Sequence, residues 1–65
     1  MELRINGESH VLDVTTLKEV VAHFELQEGL VVTEVDGRIV DRSSWSDVKV
    51  HEGMTIELVH FVGGG

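Results

Sequence analysis

Apolar and polar residues alternate over 1–6: Met1, Leu3 and Ile5 fall on one side, Glu2, Arg4 and Asn6 on the other. A period of two is that of a strand with one face buried. Asn6-Gly7 follows, and a two-residue hairpin turn needs positive φ at both positions, which this pair tolerates well. Val11, Leu12 and Val14 supply the returning strand. Then the period changes. Leu17, Val20, Val21 and Phe24 recur at i, i+3, i+4 and i+7, one face of a helix. Thr16-Leu17-Lys18-Glu19 is a capping box, in which the Thr16 hydroxyl and the Glu19 carboxylate each satisfy a free backbone donor. The helix is expected to end near Leu26, with Gly29 as its stop.

Residues 30–35 are rich in β-branched types and predict a third strand. Asp36-Gly37 is a second hairpin turn, and Arg38-Ile39-Val40 a short fourth strand. Residues 41–50 are read as irregular around Trp45, Glu52-Gly53 as another turn, and 54–62 as the last and longest strand. The order is ββαββ plus a final β. One helix can cover one face of one sheet, and the first and last strands are expected side by side in its centre. This predicts an α+β fold of the ubiquitin-like β-grasp type, a mixed sheet of about five strands with one main helix on one face. The domain is expected to span 1–62, with 63–65 as a flexible glycine tail.

Composition narrows the function. A chain of 65 residues has room for one domain, and it buries only about 60% of its unfolded surface. An independent enzyme is not expected, because a pocket needs walls. The absence of cysteine removes disulfides, thiolate metal sites and thiol redox chemistry. Five Lys+Arg against 12 Asp+Glu give a formal charge of −7, which repels nucleic acid and anionic lipid. No apolar run approaches the roughly 20 residues of a membrane span, and the N-terminal residues do not resemble a signal peptide. A soluble, cytoplasmic protein, monomeric when free, is the expectation. His10, His23, His51 and His60 include no i, i+4 pair on the helix, so no metal site is expected. His60 alternates with core-facing Leu58 and is read as a sheet-edge or semi-buried residue. Glu25, Glu28, Glu34 and Asp36 are read as a solvated face rather than as acid/base carboxylates. Trp45 is read as packing, and Arg42 as the partner of a nearby acid.

The last strand changes character. Met54, Ile56 and Leu58 share one face, and Thr55 and Glu57 the other, yet Val59 and Phe61 then fall on that second face. The outer side turns apolar just where Gly63-Gly64-Gly65 begins. Either Trp45 or a loop covers these two residues, or they form a partner-docking patch. Three glycines add nothing to packing and are costly to order. Fully extended they reach roughly 10 Å, enough to carry a carboxylate into a narrow tunnel that excludes side chains. The chemistry available is that of the α-carboxylate. Activated as a mixed anhydride with AMP, it becomes an acyl donor, and a sulfur nucleophile could convert it to an acyl disulfide or a thiocarboxylate. A sulfur nucleophile would then sit at the C-terminus without any cysteine.

Over essentially its whole length the chain resembles the ThiS family, the sulfur carriers of thiamine biosynthesis. The residues that carry the resemblance are Ile5-Asn6-Gly7-Glu8, Thr16-Leu17, the stretch 35–40, Arg42, Trp45 and the close 53–65. A Gly-Gly end is shared with ubiquitin and with the small subunit of molybdopterin synthase. The length, the Arg42…Trp45 segment and the His60-Phe61-Val62-Gly63-Gly64-Gly65 close favour the thiamine branch. Asp36, Asp41 and Met54 stand where the family often has Asn, Pro and Asp, and Asp41 for proline is expected to loosen its loop.

The resemblance implies that an E1-like adenylating enzyme uses ATP to form a Gly65 acyl-adenylate. Sulfur, drawn indirectly from a cysteine desulfurase, converts it to a Gly65 thiocarboxylate, and thiazole synthase accepts that sulfur. It implies no cofactor on the chain itself and no metal. Gly64 and Gly65 are the implied reacting end, with Val59, Phe61, Val62 and Gly63 as partner contacts, and the acidic face is expected to steer the chain to basic enzyme grooves. The alternatives are a carrier for another acceptor (molybdopterin synthase, tRNA thiolation, cysteine synthesis) and an interaction module whose tail is inert.

Overall fold

A computed structural model describes residues 1–61. The expected site residues Val62, Gly63, Gly64 and Gly65 lie outside the described residues. Strands β1 (Glu2–Ile5) and β2 (Glu8–Val11) form the first hairpin, helix α1 (Leu17–His23) follows, and β3 (Val31–Val35) and β4 (Arg38–Val40) form the second hairpin before β5 (Thr55–His60). The sheet order is β2-β1-β5-β3-β4. β1 and β5 pair in parallel at its centre and every other pairing is antiparallel. This is the β-grasp arrangement expected from the element order, with a single α-helix over one face.

The turns form where the residue types allow it. Asn6, Gly7, Asp36 and Gly37 all have positive φ, between 49° and 86°, as hairpin turns of this kind require. The helix begins at the capping box: Glu19 N–H donates to Thr16 Oγ1 at 3.3 Å, and Thr16 N–H donates to Glu19 Oε1 at 3.1 Å. Its end departs from expectation. α1 stops at His23, and Glu25 takes φ 55° while its N–H closes the last turn on the Ala22 carbonyl at 3.0 Å. Gly29 is therefore not the stop; it lies in a separate 3₁₀ turn, Glu28–Leu30. That turn also takes Leu30 out of the third strand. Ending the helix early frees Phe24 and Leu26 to pack against the core from an irregular segment.

Leu3, Ile5, Leu17, Val20, Val21 and Ile56 are buried between helix and sheet. Trp45 joins them at 1% exposure. Its indole N–H donates to Thr33 Oγ1 at 2.9 Å, and that hydroxyl donates to the Val40 carbonyl at 2.8 Å. The two bonds satisfy the polar atoms of a wholly buried Thr33, which would otherwise be costly there. Residues 41–50 are less irregular than expected, since a 3₁₀ turn spans Arg42–Ser44 and Thr16 bridges to Lys49. Asp41, expected to loosen this loop, caps its 3₁₀ turn. Its carboxylate accepts hydrogen bonds from the Ser43 hydroxyl and, at 3.1 Å, from the Ser43 N–H. Those bonds, aided by the neighbouring Arg42 charge, hold the Asp41 carboxyl below the ordinary aspartate range.

Candidate functional site

The two faces of the sheet differ. Residues directly opposite across a ladder share a face, so the register fixes which side chains stand together. On the face away from α1, Val32 lies opposite Val59, and Glu34 stands between Ile39 on β4 and Glu57 on β5. Val32, Ile39, Val59 and Phe61 are exposed, Phe61 at 56%. Trp45 does not cover Val59 and Phe61, because its bond to the buried Thr33 places it on the helix side. Of the two alternatives for these residues, the covered one is therefore excluded for Trp45.

What carries the chain towards Gly65 is a held strand. The Phe61 N–H donates to the Leu30 carbonyl at 2.8 Å, one step beyond the end of β5. Nearer the middle of β5, Asn6 grips the backbone. Its side-chain amide donates to the Leu58 carbonyl at 3.1 Å and accepts from the Leu58 N–H at 2.7 Å. β1 has already turned away at this point, so the Asn6 side chain takes the place of a further strand residue. The sequence shows Asn6 as a turn former; its long-range role depends on which strand lies beside β1.

His60 is exposed, and β5 is interior to the sheet, so His60 is not an edge residue. It lines a shallow cavity of about 260 Å³ with His10, Phe24 and Leu58. His10 meets Phe24 edge-on, with centroids 5.4 Å apart. The cavity is smaller than the roughly 300–1,000 Å³ typical of small-molecule sites. Arg42 does not pair as expected: among the described residues the only ion-pair contact is His10 to Glu8 at 3.9 Å. Nor does any helix there reach the length and hydropathy of a membrane span.

The ThiS family model matches residues 3–65. The chain belongs to the ThiS family. Its relatives include the sulfur carrier protein ThiS of Bacillus subtilis (strain 168), 31% identical over 97% of this chain and 98% of that protein. A thiazole synthase of Magnetococcus marinus is 33% identical over all of this chain, which spans only 20% of that longer protein. Among solved structures, a ThiS thiamine biosynthesis protein of Geobacter metallireducens superimposes with a TM-score of 0.83 at 26% identity, covering all of both chains. The likeness in fold takes in the mixed five-stranded sheet and the helix packed on it.

Proposed function

We infer that this chain is a sulfur carrier of thiamine biosynthesis that works through the carboxylate of Gly65. The observation that carries the reading is the family match across residues 3–65, which takes in the three glycines as well as the folded domain. In this reading an E1-like enzyme transfers AMP from ATP to the Gly65 carboxylate and releases pyrophosphate. A persulfide sulfur, supplied through a cysteine desulfurase, displaces the AMP to give an acyl disulfide. A thiol then cleaves the disulfide and leaves the thiocarboxylate. Gly63 and Gly64 let the terminus enter a slot too narrow for side chains. Val59, Phe61 and Val62 make the contacts that hold the domain at its mouth. The chain acts as a protein co-substrate, with ATP bound by its partner.

Thiazole synthase as the acceptor draws support from the Magnetococcus protein, where a segment like this whole chain forms one-fifth of a thiazole synthase. The test is intact mass after incubation with ATP, a sulfur donor and the thiamine-pathway adenylating enzyme. The expected product carries one sulfur in place of one oxygen, located at Gly65 by fragmentation, and is lost when a residue is appended after Gly65. An unchanged mass, with the enzyme active on its own carrier, would overturn the reading and favour an interaction module.

A further inference from the structure

The outer face holds a pairing that folding alone does not explain. Glu34 and Glu57 are direct cross-strand partners on β3 and β5. Residues so placed have Cα atoms only about 4.5–5.5 Å apart, and like charges there oppose strand pairing. Among the described residues no Lys, Arg or His lies within ion-pair distance of either carboxylate. By register the nearest cation on this face is Arg4, opposite Thr55, two positions along β5 from Glu57. The pair sits against apolar neighbours: Ile39 beyond Glu34, and Val32 with Val59 in the next row. Glu57 and Phe61 are four positions apart, about 13 Å at the rise of a β-strand.

Resting on the carrier reading above, we propose that Glu34 and Glu57 together clasp one basic side chain of thiazole synthase, next to the apolar seat that receives Val32, Ile39, Val59 and Phe61. The charge of the pair and its place beside the apolar stripe argue for a basic occupant, and the fused relative for thiazole synthase. Among the described residues the carboxylates have no ion-pair partner, and they adjoin the apolar stripe that runs to Phe61. In the Magnetococcus relative such a segment belongs to the same polypeptide as the synthase. A guanidinium suits the place, because its planar fork can bond two carboxylates at once and is weakly hydrated. Docking then relieves a repulsion that the free domain carries. The cation on the synthase stands about 13 Å from where Phe61 docks, which sets the register between the domain and the slot for the tail.

The experiment titrates purified thiazole synthase from the same organism with wild type, Glu34→Gln, Glu57→Gln and the double variant, by calorimetry at low and high salt. Each single change is expected to weaken binding about fivefold at low salt. The double variant should lose less than the product of the singles, because one cation serves both carboxylates. The differences should shrink at high salt. All three variants should melt at or above the wild-type temperature, by roughly 2–4 °C where the repulsion is removed. Wild-type affinity in the variants at low salt would overturn the proposal. So would a loss that salt does not touch, an effect on self-association in place of synthase binding, or no binding by a wild type that the adenylating enzyme thiocarboxylates. If the wild type is neither thiocarboxylated nor bound, the carrier reading itself fails, and the proposal with it.

Discussion

At Asn6 one side chain joins two parts of the fold. The backbone holds φ 51° to turn the first hairpin, while the amide bonds both the N–H and the carbonyl of Leu58, 52 residues away. Asn6→Gly keeps the turn and loses the grip, whereas Asn6→Ala loses the grip and strains the turn. Chemical denaturation should show the glycine variant less stable by about 1–2 kcal/mol and the alanine variant by roughly a further 1 kcal/mol. An unchanged midpoint for Asn6→Gly would mean that the amide bonds contribute nothing net. The turn was legible in the sequence because Asn-Gly is a local signal. The grip was not, because it depends on which strand lies next to β1.

Among the elements, the helix shows where local pattern suffices and where it stops. Its start is written in four consecutive residues, and the capping box forms as read. Replacing Thr16 by Ala should cost about 1 kcal/mol, seen as a lower melting temperature, while Thr16→Ser should keep most of the stability; equal losses in both would mean that the hydroxyl cap is not what Thr16 contributes. The helix end departs from the expected one near Leu26 with Gly29 as the stop. Glu25 ends the helix instead by taking the left-handed conformation, and Phe24 and Leu26 pack against the core on either side of it. The central place of β5 and its apolar outer end were legible, since alternation assigns each strand residue to a face; its bounds were not, for the strand begins at Thr55 and ends at His60, inside the expected 54–62. The cross-strand meeting of Glu34 with Glu57 was hidden, because register between β3 and β5 is a property of the assembled sheet.

For the molecule as a whole, the −7 charge is nearly uncompensated by contact: among the described residues no Lys or Arg pairs with a carboxylate. Repulsion of this kind is spread over the surface and is screened by salt. The melting temperature at neutral pH should therefore rise by a few degrees as salt goes from about 10 mM to about 150 mM, where the Debye length shrinks from about 30 Å to about 8 Å. A flat or falling curve would mean that the charges are placed to neutralise one another at longer range. Such distributed effects are legible from composition alone, which counts charges without locating them. Locating them is what separates a solvated face from a docking face.

The single tryptophan of the chain has an optical consequence. Trp45 lies sealed on the helix side, its indole bonded to Thr33, with the whole thickness of the sheet between it and the exposed outer stripe. Its emission belongs to a dry, rigid environment and shifts to the red only when the core opens to water. An enzyme that settles on the far side of the sheet leaves that environment alone. The protein thus carries an intrinsic fluorophore that reports on unfolding and stays silent to anything bound on the outer face, so the two equilibria can be read separately on the unlabelled chain.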